Sequence, residues 1–400
     1  MNAHPNCQTL PPDCDVAILG GGPAGAAAAI TLARAGRAVA VIEKSRYDQP
    51  RLGETLPPAA RPPLARLGVW EQFSAAGHAP SPGVLAAWGE AELHQNHFIF
   101  NPYGHGWHLD RQRFDALLAE AARQAGAWLY CGAQLNSCLP GEADGWQVEF
   151  TSDGCRRQFR ARCLIDASGR AAALARQQGA KRINADRLVG LAGLSAARSR
   201  AAECDACTLV EACAGGWWYS ALLPGARLVA VYMTDADLLP RARHDWPAFR
   251  QAQLRQTIHT RNRLRAFEPP AALRVAAANS SRLDRVSGRD WLAVGDAALS
   301  FDPLSAQGLL QALASGLRAG EALNRALAGA DAALNRYAEE AQIVFEKYTQ
   351  RYDEYYSREQ RWLHSSFWQR RHAAAQARLH ENNLLPLLAG EQPVERRSTQ

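Results

Sequence analysis

Val16-Ala17-Ile18-Leu19-Gly20-Gly21-Gly22-Pro23-Ala24-Gly25 is the stretch on which the fold of this chain turns. Four apolar residues are too few for a helix, and they end in three glycines, as a buried strand does on entering a tight turn. Pro23 suits a first helical position, and the alanine-rich run that follows suits a helix closing on Gly36. Val39 to Ile42 form a second apolar strand, ended by Glu43. Strand, glycine turn, helix and strand within about 30 residues make one parallel βαβ unit.

The glycine spacing gives the unit a purpose. In Gly20-x-Gly22-x-x-Gly25 the first glycine allows the turn, the second lets a pyrophosphate approach the backbone, and the third lets helix pack on strand. The helix start, with Ala24 in its first turn, offers unpaired N–H groups and a positive dipole end to phosphate. Glu43 stands where a carboxylate accepts from ribose hydroxyls, and Lys44 adjoins it at the same end of the nucleotide.

The totals fit a globular protein of two or three domains: 400 residues, 47% apolar and 21% charged. Its net charge of +6 is carried almost wholly by arginines, lysine occurring only at 44, 181 and 347. The arginines are scattered, which argues against a nucleic-acid or membrane tail. No stretch has the roughly 18 uninterrupted apolar residues of a membrane span, and the first residues lack a signal pattern. With nine cysteines and no need for staples, a cytoplasmic protein with reduced thiols is expected. Cys204-Asp205-Ala206-Cys207 has no second paired cluster to complete a zinc site, so no metal is expected.

Further along, the spacing predicts a helix over 110–126 and a hairpin turning at Asp153-Gly154. It also predicts two strand-like runs around Leu223-Pro224-Gly225, a short strand at 291–294 and a long helix from Gly308. Phe345, Tyr348, Tyr352 and Tyr355 recur at helical spacing in a tail free of proline and glycine over 334–378. The last ten residues look frayed.

The first fingerprint does not distinguish NAD from FAD; later segments do so by resemblance. Asp166-Ala167-Ser168-Gly169-Arg170 resembles the strand-end motif of flavoproteins. Gly295-Asp296-Ala297-Ala298, then Pro303 and Gln307-Gly308-Leu309, resembles the second FAD motif of the aromatic-hydroxylase superfamily. Asp110-Arg111-x-x-Phe114-Asp115 resembles that superfamily's arginine near the cofactor phosphates; the plainer reading is a capping Asp110 with a solvated Arg111. Gly53-Glu54-Thr55-Leu56-Pro57-Pro58 is similar to a segment shared by flavin-dependent halogenases. Trp88-Gly89, the run 104–111, Gly216-Trp217-Trp218-Tyr219-Ser220 and the run 366–372 resemble the maturation flavoproteins of quinone-cofactor amine oxidases, the lysine-ε-oxidase and glycine-oxidase maturase type.

The resemblance implies an α/β fold. It has a Rossmann-like FAD-binding domain (12–49, 104–180, 280–330), a mixed β-sheet substrate domain (50–103, 181–279) and a helical C-terminus (331–400). It implies oxygen insertion into a tryptophan of a partner amine oxidase or dehydrogenase precursor, on the way to tryptophylquinone. FAD is the cofactor, O₂ the oxidant, and NAD(P)H or another reductant the transient electron donor. Asp296 would accept from a ribityl hydroxyl, while the N–H groups of Gly308 and Leu309 would face the flavin edge where negative charge collects on reduction.

Glu54, His105 and His108 are the candidate catalytic residues, Glu54 for the indole N–H and either histidine as base. Each has a plainer reading: a loop carboxylate paired with Arg51 or Arg61, and structural histidines. Trp217 and Trp218 wall a cavity or fill a core, and the tail past Ser366 is the better docking candidate. Three alternatives stand: a halogenase, a small-molecule aromatic hydroxylase, and a flavin-bearing chaperone without catalysis. The halogenase reading lacks its lysine, since none lies between Lys44 and Lys181, and lacks the Trp-x-Trp-x-Ile-Pro signature.

Overall fold

The computed structural model describes residues 13–141, 144–198, 205–330 and 332–388. Five strands run parallel at its centre, in the order Trp291–Ala293, Cys155–Asp166, Asp13–Leu19, Val39–Glu43 and Trp128–Cys131. Parallel strands are covered on both faces and need near-continuous apolar sequence. Val16 to Ile18 and Val39 to Ile42 supply it, and all are buried. The helix Pro23–Arg34 lies on this sheet and packs closely on Gly308–Leu327. Small residues permit the approach: a Cβ on Gly316 would sit 2.3 Å from the Ala24 carbonyl oxygen. Off the first half of Cys155–Asp166, Trp146–Ser152 and Gln134–Pro140 add an antiparallel meander. Its turn at Asp153-Gly154 has both residues at positive φ, as the sequence predicts.

The second sheet has seven strands, in the order Leu273–Ala277, Leu188–Ala196, Arg227–Asp235, Gly216–Leu223, Thr208–Cys213, Gly83–Ala87 and His94–His97. It is mixed, with Thr208–Cys213 parallel to Gly83–Ala87 and the other pairs antiparallel. Residues 208–235 therefore form three strands where two were expected. The extra reversal falls at Ala214-Gly215, and Gly216 makes it possible: at φ +153° a Cβ there would lie 2.0 Å from the Met233 carbonyl oxygen. A small sheet of Thr55–Leu56, Gly106–His108 and Ala79–Ser81 holds the proline-punctuated segment.

The tail forms two helices, Ala333–Ser357 and Ser366–Leu388. Glu359 breaks them without help from glycine or proline. It is fully buried, accepts from the N–H groups of Gly89 (2.8 Å) and Arg361 (3.0 Å), and holds the Arg361 guanidinium. The buried aromatic stripe continues from Tyr348 to Tyr356, whereas Tyr355 is half exposed. Phe367 and Trp368 are fully buried, the Trp368 indole donating to the Cys213 carbonyl (3.0 Å), so the start of the expected docking tail is core. Residues 391–400 and Cys204 lie outside the described residues. No helix among the described residues is long and apolar enough to cross a membrane.

Candidate active site

The glycine turn opens onto a cleft of 650 Å³. Two of its glycines are required by packing. A Cβ on Gly20, at φ +103°, would lie 2.3 Å from the Ala167 carbonyl oxygen, and one on Gly25 would lie 1.9 Å from that of Gly20. Gly22 serves the cleft instead, since a Cβ there would meet only Arg51, at 3.9 Å. No side chain caps the helix that follows, so its first N–H groups, Ala24 among them, stay open. Glu43 is buried and accepts from the N–H groups of Gly21 (2.6 Å) and Ser45 (2.8 Å). Arg51 reaches Glu43 (3.3 Å) and the Ser45 hydroxyl (2.9 Å), and Lys44 lines the same end. The plainer reading of Glu54 pairs it with Arg51 or Arg61; Arg51 instead bonds Glu43 and reaches Asp115 (3.5 Å).

Arg111 lines the cleft but bonds to protein. Its guanidinium grips Asp115 with two bonds of 3.0 Å and donates to the carbonyls of Leu52 and Gly53, both at 2.9 Å. Asp110 caps the helix Arg111–Gln124 by accepting from Gln112 and Arg113. Arg111 thus anchors the backbone that separates the cleft from the space beyond.

That space is a cavity of 340 Å³ that shares Leu52, Gly53, Asp296, Gly308 and Leu309 with the cleft. Glu54 and Tyr219 line it. Glu54 is buried, and burial pushes its carboxyl up against the pull of Arg111. The Tyr219 hydroxyl lies 2.8 Å from that of Thr55 and 3.5 Å from Glu54. Burial also raises the Asp296 carboxyl, opposed by Arg170 (3.6 Å), Arg182 and Arg111. Pro303 opens a short turn to Gly308. A Cβ on Gly308 would meet nothing within 4 Å, and the helix it starts has no side-chain cap. Gly308 and Leu309 thus bring a second uncapped helix start to the cleft.

Neither histidine lines the cleft or the cavity. His105 is exposed, with Nδ1 on the Gly106 carbonyl (2.7 Å). His108 is fully buried, between the Leu222 carbonyl (Nδ1, 3.0 Å) and the Thr208 hydroxyl (Nε2, 2.8 Å). A carbonyl only accepts, so Nδ1 carries the proton and Nε2 accepts from Thr208. Burial lowers its pKa to about 4. The strand Gly106–His108 seats His108 between Leu222 and Thr208, and His105 stays at the surface just before it, so nearness in sequence to Arg111 brings neither to the cleft. Trp217 and Trp218 are core on opposite sides of their strand. The first donates to Tyr356 (3.0 Å) and the second stacks under Arg250.

The cleft fits FAD: an approachable backbone at Gly22 and Gly308, two uncapped helix starts, and a buried carboxylate at one end. Bound there, FAD supplies two-electron chemistry and activation of O₂. No lysine lines the inner cavity, and Lys44 sits at the Glu43 end of the cleft.

Comparison with known proteins agrees with this geometry. LodB of Marinomonas mediterranea, described as an FAD-dependent oxidoreductase, is 30% identical over 90% of this chain and 97% of its own. The myxobacterial chondrochloren halogenase CndH shares the fold at a TM-score of 0.85, with 21% identity over 96% of this chain and 92% of that one. QhpG is a peptidyl tryptophan dihydroxylase essential for tryptophylquinone cofactor biogenesis. It superposes at a TM-score of 0.72, with 26% identity over 90% of this chain and 78% of its own. Residues 13–352 match the FAD binding domain model, and the chain belongs to that family of flavin-dependent oxidoreductases.

Proposed function

We propose that this protein is an FAD-dependent monooxygenase that hydroxylates a tryptophan side chain of a partner amine oxidase or dehydrogenase precursor during tryptophylquinone formation. The observation that carries the reading is the lysine-free cavity with Glu54 and Tyr219 in its wall, joined to the cleft at Gly308 and Leu309. At 340 Å³ it lies in the range of small-ligand sites, which suits one aromatic side chain better than a folded domain. Likeness to QhpG supports the choice of a peptidyl tryptophan.

In this reading Gly20, Gly22, Ala24 and Gly25 shape the pyrophosphate turn, while Glu43 and Lys44 hold the adenosine end. Asp296, Pro303, Gly308 and Leu309 seat the flavin. Arg111 fixes the Leu52-Gly53 backbone between flavin and substrate. Glu54 orients the indole through its N–H and exchanges a proton with it, Tyr219 holding the carboxyl in place. His105 and His108 take no part in the chemistry. The reading keeps 12–49, 104–180 and 280–330 as the FAD domain, 50–103 and 181–279 as the substrate domain, and 331–400 as the helical C-terminus.

The test is intact mass of a co-expressed amine oxidase precursor after incubation with reductant, air and bromide. The expected product carries one or two added oxygens on a single tryptophan. A brominated product would establish the halogenase reading, turnover of free tryptophan without any partner the small-molecule one, and an unmodified but matured precursor the chaperone.

A further inference from the structure

We propose that Asp302 is a proton-exchanging residue of the flavin turn, taking up a proton from solvent when the bound cofactor gains electrons and returning it on re-oxidation. The inference rests on FAD binding and is independent of the substrate. Asp302 is 1% exposed and lines the inner cavity together with Gly308 and Leu309. Among the described residues it makes no ion pair. Among the described residues its carboxyl oxygens accept from two neutral donors, the Leu304 N–H on Oδ1 (2.8 Å) and the Tyr356 hydroxyl on Oδ2 (2.8 Å). The Trp217 indole donates to the Tyr356 oxygen (3.0 Å), which leaves the Tyr356 proton to Asp302. Behind it, the Asp302 N–H donates to Tyr348 (2.8 Å), which also bonds Ser280.

A buried carboxylate without a cation is held near its neutral form. The charged neighbours do not reverse this. The Asp186 carboxylate opposes ionisation, and Arg371, the favourable cation, is already bonded to Asp235 (2.9 Å). Tyr352 packs on the Tyr356 ring, and across the cavity stand Asp296, Arg170 and Glu54. Burial is the first cause that brings the Asp302 carboxyl up to about 7, so a modest change in local field changes its charge.

The turn supplies that change. Asp302 caps Pro303–Ser305, which leads through Ala306, at φ +49°, to the open N–H groups of Gly308 and Leu309. Negative charge arriving on a flavin at those N–H groups, in a low-dielectric site, raises the proton affinity of a carboxylate in the same turn. The step is carboxylate plus solvent proton giving carboxylic acid. The two electrons come from an external two-electron donor and leave to O₂. Linkage makes the effect reciprocal, since a protonated Asp302 eases reduction.

The test uses FAD-loaded protein reduced anaerobically with dithionite, in dilute dye-reported buffer. Wild type should take up as much as one more proton per FAD than Asp302→Asn around neutral pH. Its midpoint potential should fall more steeply with pH than the variant's over the same range. Equal uptake and equal slopes would overturn the proposal. Reduced-minus-oxidised infrared spectra of wild type alone cover the case of a variant that fails to fold. A protonated-carboxyl band must appear on reduction; its absence also overturns the proposal. Tyr356→Phe keeps the carboxyl but removes a donor to its charged form, so the change in slope should move to higher pH.

Discussion

The nucleotide end of the cleft and the cavity beyond its flavin end bury carboxyl groups in opposite ways. At the nucleotide end Glu43 is met by two backbone N–H groups and by Arg51. At the flavin end Glu54 and Asp302 are equally buried, but their hydrogen bonds come from neutral groups, and burial raises both. A carboxylate surrounded by donors and a cation is held in one geometry, which suits holding a ribose. A carboxyl kept near neutrality by burial can gain and lose a proton, which suits chemistry. In the proposed reading the first end binds and the second reacts.

The contrast breaks most visibly at Gly22. Leucine there fills the approach to the turn and denies phosphate its N–H groups. Each bond to a charged group is worth about 1.5–3 kcal/mol, so losing two weakens FAD binding by about 10²–10⁴-fold. Titration with FAD should show this with little change in melting temperature; unchanged affinity would remove the nucleotide end from the account.

Next in size is the acid sensitivity of His108. Its folded pKa, about 4, lies below that of the unfolded chain, so its contribution is present above pH 6.5 and is lost as pH falls from there towards 4. The loss is on the order of 3 kcal/mol. Melting curves of wild type should fall over that window, and a His108→Asn variant, though less stable at neutral pH, should fall less. A parallel decline would show that His108 is not the source.

Tyr219→Phe sharpens the flavin end. It removes a bond that lowers the Glu54 pKa, so the acid limb of the activity profile should move to higher pH. Stability should drop by about 1–2 kcal/mol. An unmoved limb would separate Tyr219 from Glu54.

The smallest effect is a control remote from the cleft. Arg250 is buried over Trp218 (5.1 Å), makes no ion pair among the described residues, and leaves Nε and one Nη unbonded. Arg250→Met should raise stability by about 1 kcal/mol, because the unpaired buried cation outweighs the lost ring contact. Turnover should stay unchanged. Lost turnover would show that buried charge marks function outside the cavity too.

The nucleotide end was legible in the sequence because its rules are local: Gly20, Gly22, Gly25 and Glu43 sit within one βαβ unit. The Gly308 turn was legible by resemblance. What stayed hidden was long-range. Tyr219 reaches Glu54 across 165 positions, and Tyr356 reaches Asp302 across 54, with no periodicity to announce either. Arg51 lies in a proline-broken segment whose path the sequence does not fix. Tyr355 and Tyr356 are neighbours on one helix, and spacing alone chose the exposed one. For His105 and His108 the placement agrees with the plainer reading of structural histidines, since nearness in sequence to Arg111 is not nearness in space.

Glu54→Gln offers the most direct trial of the division between binding and reacting. Bound FAD per chain and oxygenated product per reduced FAD would be counted on the same sample. The account predicts a yellow protein with wild-type FAD content whose product yield falls by about 10²-fold or more. Full yield from that protein, or loss of FAD from it, would contradict the account.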